Sequence, residues 1–368
     1  MLDSKNNLQL TQIQIKNFRC FNTVTLDLDG TPLLIEGNNG SGKTSLLEAL
    51  HYLCYLRSFR THLPRELIRF NQESFFLKAE FDTTINSQTI HNQLQVGFSG
   101  KKRLVKINQQ SISSYRDLLE HYRIVTLTED DLDLINQGPD VRRAFIDQAI
   151  LLEDAEFIGC FRDLKHIVDS RNALFYSKNF SDESYMLWTQ QLWHKSKLIQ
   201  QQRHALLINI ALETNKLLER FFNNEISIAT DYIAKKIHLG QTWEQFLESN
   251  PTLMAEEQRF GRSLFGAHLD DFTITFQDKK SKSFASRGQQ KLIVLLIKTA
   301  LVKLASKKVP AVFLLDDFMT DFDAVRSSLL ISILSELNNQ LIFTSPLQAG
   351  FIQEGILGLG ARRIILPN

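Results

Sequence analysis

Two short motifs near opposite ends of the chain constrain its fold more than any other feature. Gly37-Asn38-Asn39-Gly40-Ser41-Gly42-Lys43-Thr44 fits G-x-x-x-x-G-K-[ST]. Far downstream, the apolar run from Val309 to Leu315 leads into Asp316-Asp317, the pattern of a buried parallel strand presenting carboxylates at its tip. The first motif binds phosphate and the second serves the metal and water beside it, so a fold that uses both must bring the chain ends together. A compact kinase or small GTPase closes such a site over a much shorter stretch. The economical expectation is one nucleotide-binding head assembled from both ends, with the intervening residues inserted as an arm or lobe.

The phosphate motif has a specific physical logic. Gly37, Gly40 and Gly42 allow backbone angles and close approaches that a Cβ would obstruct, so consecutive amides converge on phosphate oxygens. Lys43 then meets the β and γ oxygens of ATP, and Thr44 offers a hydroxyl to Mg²⁺. The segment Ser45-Leu46-Leu47-Glu48-Ala49-Leu50 continues as a helix whose positive end faces the anion, and Pro32 to Glu36 supplies the preceding strand. A chance glycine-rich turn would not be expected to have strand, loop and helix in that order. Asp316 is the candidate to hold Mg²⁺, directly or through water, and Asp317 to orient or deprotonate the attacking water. Many related ATPases place Glu at the second position, so the shorter Asp predicts slow hydrolysis.

Composition sets the outer bounds. With 43% hydrophobic residues in 368, the chain can bury a large core. Its 42 Lys and Arg against 41 Asp and Glu mean that any nucleic-acid surface is a local patch. Cys20, Cys54 and Cys160 are isolated, which excludes a cysteine framework or zinc hook and suits a reducing compartment. The first residues lack the apolar core of a signal peptide, and no stretch approaches ~18 uninterrupted apolar residues, so a cytoplasmic location without membrane contact is expected.

Alternation at Val24, Leu26 and Leu28, at Leu77, Ala79 and Phe81, and at Leu94, Val96 and Phe98 predicts several half-buried strands forming an antiparallel edge to the head. Thr128-Glu129-Asp130-Asp131 reads as a capping box opening a helix after the strand Ile124 to Leu127. From Cys160 to Leu239 there is neither Gly nor Pro, and Leu192, Ile199, Leu206, Ile210, Leu217 and Phe221 mark a long amphipathic helix or antiparallel pair facing a core. The domain expectation is 1–135 and 263–368 for the head and 136–262 for a mainly helical arm.

A third motif decides the class. Phe284-Ala285-Ser286-Arg287-Gly288-Gln289-Gln290-Lys291 precedes the helical pattern Leu292, Leu295, Leu296 and Thr299. It resembles the signature of ABC-type ATPases, in which Ser286 and the Gly288 amide would bind the γ-phosphate of a nucleotide held by the opposite subunit. A plain helix cap would explain the Ser and Gly but not their place between the other two motifs. The fold class expected is thus α/β, an ABC/SMC-like ATPase head formed from both chain ends with an inserted helical domain.

Asn17-Phe18-Arg19, the phosphate loop and its helix, Arg57-Ser58-Phe59-Arg60-Thr61, Arg142-Arg143-Ala144-Phe145-Ile146-Asp147, Gly266-Ala267-His268-Leu269-Asp270-Asp271, the signature and Leu314-Leu315-Asp316-Asp317 together resemble the RecF family of bacterial recombination mediators, nearly end to end. The resemblance implies an ATP-dependent homodimer on duplex DNA, weak DNA-dependent ATPase activity, and work with RecR and RecO in loading RecA at gapped DNA. It also adds Ser45, Gln289, Asn17 and Arg19 to the nucleotide-binding set. Three departures stand out. Leu269 replaces a cation of the family pattern, Thr320-Asp321-Phe322-Asp323 replaces a more usual Ser-Glu-Leu-Asp, and Thr344-Ser345-Pro346 stands where many ABC ATPases carry a switch His.

Three basic clusters could meet DNA phosphates: Arg57, Arg60, Arg65 and Arg69; Lys101, Lys102, Arg103 and Lys106 on a hairpin; and Lys279, Lys280 and Lys282. An ordinary solvated face is the competing reading for each, and the hairpin set is the first choice. A transporter ATPase subunit would place signature and carboxylates closer to the phosphate loop. A chromosome-maintenance ATPase shares the motifs, but a long-armed one needs a longer chain, and a small-molecule kinase would carry no signature.

Overall fold

The computed structural model describes residues 7–85, 88–112, 114–177, 180–222, 226–307, 310–318, 322–347 and 350–367. Val309, Thr320 and Asp321 of the motifs above lie outside these residues. The chain divides into two compact units, one of residues 1–132 with 294–368 and the other of residues 133–293.

The first unit begins with β1 (Asn7–Phe18), β2 (Phe21–Asp27), β3 (Leu33–Glu36), α1 (Lys43–Tyr55), β4 (Phe75–Ile85), β5 (Gln88–Ser99), β6 (Lys102–Ile107), β7 (Gln110–Ser111), α2 (Tyr115–His121) and β8 (Ile124–Leu127). The second holds α3 (Asp133–Asn136), α4 (Pro139–Glu153), α5 (Ile158–Leu174), α6 (Asp182–Phe222), β9 (Ile228–Ile233), α7 (Trp243–Ser249), α8 (Leu253–Phe260), β10 (Asp271–Phe276), β11 (Lys279–Lys280) and α9 (Ser281–Phe284). Helix α10 (Arg287–Ala305) runs across the division, and the chain ends in the first unit with β12 (Val312–Leu315), α11 (Ala324–Ser335), β13 (Leu341–Ser345), α12 (Phe351–Gly358) and β14 (Arg362–Ile365).

Two sheets build the first unit. The five-stranded sheet has the order β14-β3-β13-β12-β8, and every pairing in it is parallel. Its inner strands read Leu-Leu-Ile-Glu, Val-Phe-Leu-Leu and Leu-Ile-Phe-Thr-Ser and are buried throughout, as a parallel sheet covered on both faces requires. Edge strand β14 is mostly exposed and carries Arg362 and Arg363, charges that discourage pairing with another chain. The six-stranded sheet, β2-β1-β4-β5-β6-β7, is antiparallel and buries one face through Leu77, Ala79, Phe81, Leu94 and Val96. The alternating strands therefore form a full sheet of their own rather than an edge on the parallel one. A bulge between Leu10 and Gln12 interrupts the β1–β4 register. There the buried Gln340 side chain stands in for a strand neighbour, accepting the Leu10 N–H at 2.7 Å and donating to the Leu10 carbonyl at 3.1 Å. Its amide also reaches the Thr31 carbonyl at 3.2 Å, fastening the two sheets at one point.

In the second unit, the segment 182–222 is one continuous helix of 41 residues, not a helical pair, and Leu192, Ile199, Leu206, Ile210 and Leu217 are buried along it. Antiparallel β9, β10 and β11 form its sheet. The division falls at residue 293 rather than 262, because β10 pairs with β9 over its whole length and Arg142 on α4 makes a bidentate ion pair with Asp271 at 2.6 and 2.9 Å. Two sequence motifs meet in this way. Besides Arg142, Arg143 donates to the Asp270 carbonyl, and Asp147 pairs with the buried Arg203, whose guanidinium also donates to the Ala267 carbonyl at 2.6 Å. Gly266 has φ +111°, and a Cβ there would sit 2.9 Å from Ser196 Oγ. Thr128 to Asp131 opens a 3₁₀ turn, Glu129–Leu132, instead of an α-helix; Asp131 accepts the Thr128 N–H at 2.8 Å, but only half of the capping box forms.

Candidate nucleotide site

The phosphate loop joins β3 to α1 at the carboxyl edge of the parallel sheet, where ligands of open α/β sheets bind. Its glycines are dictated by geometry. A Cβ at Gly37 would overlap the Ser41 hydroxyl, and Gly42, with φ +98°, would place a Cβ 2.8 Å from both Cys20 Sγ and the Phe21 ring. The first amides of α1 have no intrahelical acceptor and point out of its start. Ser41 Oγ is buried with no hydrogen-bond partner, and the Lys43 ammonium, nearly buried, donates to the Gly37 carbonyl at 3.0 Å and lies 3.7 Å from Asp317 Oδ2. A glycine-shaped curl, orphaned donors and an inward cation fit a polyphosphate. Asn38 and Asn39 are exposed on the same loop, Gly40 adopts φ +88°, and Ser45 is buried in the first turn of α1.

The parallel topology brings the second motif to this loop. Thr44 Oγ1 donates to Asp316 Oδ1 at 3.1 Å, a contact between residues 272 positions apart. Strand β13 lies between β3 and β12, with Thr344 opposite Ile35 in register, and its side chain fills the gap between the motifs. Thr344 Oγ1 lies 2.8 Å from Asp316 Oδ1 and 3.2 Å from Asp317 Oδ1, and accepts the Asp317 N–H at 2.9 Å. The one hydroxyl thus touches both carboxylates. Asp317 has φ +46°, a left-handed conformation that Asp tolerates better than most residues and that turns its carboxylate back toward Lys43. Burial raises the Asp316 carboxyl above the usual range; hydrogen bonds from Thr344 and Thr44 oppose this, while Asp317 adds to it. A hard cation would relieve that cost, and a hydroxyl beside a carboxylate is an oxygen pair suited to Mg²⁺.

Residues added by resemblance have other engagements. Arg19 makes a bidentate ion pair with Glu48 of α1, at 2.8 and 2.7 Å, and donates to the Glu66 carbonyl at 2.9 Å; the hydrogen bond to Glu48 raises its pKa. Asn17, with φ +54°, uses its carbonyl to accept the Arg69 N–H at 2.9 Å. Glu48 is fully buried and also receives Ser58 Oγ and, at 3.6 Å, Arg60. Thr344 and Glu48 are the functional neighbours that motif reading missed.

Ser286 caps α10. Its hydroxyl accepts the Gln289 N–H at 3.3 Å while Gln289 Oε1 accepts the Ser286 N–H at 2.8 Å, a reciprocal capping box. Ser286 is exposed and Gly288 half-buried, and a Cβ at Gly288 would meet nothing within 4 Å. Asp323 caps α11 by accepting the Arg326 N–H at 2.8 Å. An open groove of about 530 Å³ between α5 and α6, lined by Asp163, His166, Lys195 and Leu198, contains none of these motifs.

A parallel sheet with a phosphate loop on one strand, paired carboxylates on another and a long helical insertion between them defines the SMC/ABC-type ATPase head. A family model described as the RecF/RecN/SMC N terminal domain matches residues 9–355. The chain is 30% identical over 346 residues to the DNA replication and repair protein RecF of Actinobacillus pleuropneumoniae serotype 7 (strain AP76), covering 92% of both. It is 27% identical over 349 residues to the RecF of Citrifermentans bemidjiense, covering 92% of this chain and 93% of that protein. The chain belongs to the RecF/RecN/SMC family and, within it, to the RecF proteins. Its fold is similar to a solved structure of the recombination mediator protein RecF-ATP in the RecFOR pathway, with TM-score 0.84, 21% identity and 95% of each chain covered. The Smc head domain of Pyrococcus furiosus is a more distant likeness, with TM-score 0.54, 14% identity, and 95% of this chain and 92% of that one covered.

Proposed function

We propose that the chain is an ATP-gated DNA-binding protein that dimerises on duplex DNA near single-strand gaps and works with RecR and RecO to load RecA, with slow ATP hydrolysis resetting the dimer. The observation that carries this reading is the contact of Thr44 with Asp316, which unites the phosphate loop with the carboxylate strand. In this reading Lys43 and the amides of residues 37–45 bind the triphosphate. Thr44 and Asp316 would hold Mg²⁺, which supplies charge neutralisation to the phosphates. Asp317 orients or accepts a proton from water, and the Ser286 and Gly288 helix start of a second copy engages the same nucleotide, with Gln289 beside them. Arg19 serves the site through Glu48, bracing α1, rather than by touching phosphate.

The test is sedimentation with ATP, ADP and duplex DNA at several salt concentrations. Dimers are expected with ATP and DNA, not with ADP. Lys43→Met is expected to lose nucleotide binding and dimers together, whereas Ser286→Arg keeps monomer ATP binding and loses dimers. Asp317→Asn is expected to lengthen dimer lifetime. ATP-independent assembly, or dimers in the Ser286→Arg variant, would remove the gating role.

A further inference from the structure

The most exposed large apolar side chain among the described residues is Phe70, 87% accessible. It stands on a defined turn, not a loose end. The Arg69 carbonyl accepts the Gln72 N–H at 3.0 Å, and Asn71 supplies the left-handed corner at φ +61°. The turn is anchored on both sides of Asn17-Phe18-Arg19: Arg69 N–H donates to the Asn17 carbonyl at 2.9 Å, Phe18 bridges Ile68, and Arg19 N–H donates to the Leu67 carbonyl at 2.8 Å. A fully hydrated phenyl ring in such a fixed position forgoes burial that a polar residue would not need.

Its surroundings are cationic. Arg65, on the short helix just before the turn, donates from Nε to the Gly100 carbonyl at 3.1 Å, at the tip of the β5–β6 hairpin. This single hydrogen bond merges two clusters separate in sequence into one surface. Lys101 and Lys102 are exposed at that hairpin tip, and neither they nor Arg69 form an ion pair among the described residues. Glu66 and Glu73 are the acidic groups on the same segment, and Glu66 is engaged by the Thr61 hydroxyl. The segment is braced to the phosphate-loop helix, since Ser58 and Arg60 both reach buried Glu48.

We propose that Phe70 is a base-stacking residue: the cations hold a DNA backbone while the ring lies against a nucleobase face left open where a strand ends, as at a gap. The proposal rests on the DNA-binding reading above and adds the residue and the contact by which a gap is told from intact duplex. An aromatic ring takes any base because every base has a π-face, and phosphate contacts alone do not tell a continuous duplex from an interrupted one. An intact duplex stacks its bases on one another and offers the ring nothing.

The experiment compares binding of the full chain with ATP and Mg²⁺ to a duplex closed by hairpins at both ends and to the same duplex carrying a gap with 2-aminopurine at its edge. Phe70→Ala is expected to weaken gapped DNA about tenfold and leave the closed duplex unchanged. Phe70→Trp is expected to keep the preference. The 2-aminopurine emission should change on binding of the unsubstituted protein and not with Phe70→Ala. Lys102→Ala should weaken both DNAs alike and flatten the salt dependence. Equal losses on both DNAs with Phe70→Ala, or none, would overturn the stacking role; so would an effect seen only on a protein partner. If the unsubstituted protein binds neither DNA, it is the DNA-binding reading that fails.

Discussion

The hydroxyl of Thr344 lies within 3.2 Å of both Asp316 and Asp317, on the strand that separates the phosphate loop from the carboxylates. Like-charged groups at that spacing repel, and a donor between them fixes which oxygens face the loop. Thr344→Val, which keeps the shape and removes the hydrogen bonds, should lower ATP turnover about 10- to 100-fold. ATP affinity should change far less, and Thr344→Ser should restore most of the rate. Steady-state hydrolysis beside equilibrium nucleotide binding separates the two; an equal loss in both would reduce Thr344 to a packing residue.

Asp316 presents a conflict between stability and function. Its folded pKa is raised above the unfolded value, so the stability it confers is fully present below the unfolded pKa and is lost as pH rises through the folded one. At neutral pH its charge is a cost in the nucleotide-free protein. Asp316→Asn should therefore raise the melting temperature in chelator by about 1 to 3 °C while abolishing the further rise produced by ATP with Mg²⁺. A lower melting temperature would mean that the carboxylate is structural.

Glu48 is fully buried and holds Arg19 and Arg60. Removing one member of a buried ion pair leaves an uncompensated charge, so Glu48→Ala should cost about 3 kcal/mol in urea unfolding. Arg60→Ala should cost less than 1 kcal/mol, because Arg60 is 43% exposed and Arg19 still pairs with the carboxylate. Similar costs for the two would show that the carboxylate depends on both arginines equally.

Acid should weaken both units. Burial, with Lys298 nearby, lowers His51 from 6.5 to about 3, and burial with Arg143, Arg171 and Arg203 nearby lowers His268 from 6.5 to about 4. A depressed folded pKa gives stability that is complete above the unfolded pKa and drains away below it, here from 6.5 down toward 4 for His268 and 3 for His51. Each can contribute a slope of at most about 1.4 kcal/mol per pH unit. Urea midpoints measured from pH 7 to pH 5 should fall, and His268→Asn should flatten part of the decline. A flat profile in the unsubstituted protein would contradict the burial argument.

The phosphate loop, the carboxylate strand, the signature helix start and the α/β class were legible because each depends on local chemistry: glycine angles, strand apolarity, a capping serine. Thr344 was not, because its role comes from β13 lying between β3 and β12, and no residue pattern announces strand order. Gln340 is the same case, a polar side chain whose partners sit on β1. Repeated apolar positions marked α6 but could not separate one helix from two, since either buries the same face. The residues 263–293 looked like the return to the head by motif order, yet pairing with β9 and the Arg142–Asp271 ion pair place them in the helical unit.

The neighbours of β3 in its sheet are β13 and β14, both drawn from the last segment of the chain. The strand that ends in the phosphate loop therefore has no sheet partner, though it is apolar, until residues more than 300 positions downstream fold against it. A chain clipped before residue 341 cannot complete its pocket and exposes Leu33 to Ile35 to proteases and chaperones. Competence to bind nucleotide therefore depends on residues 341–365 as much as on the glycine loop itself.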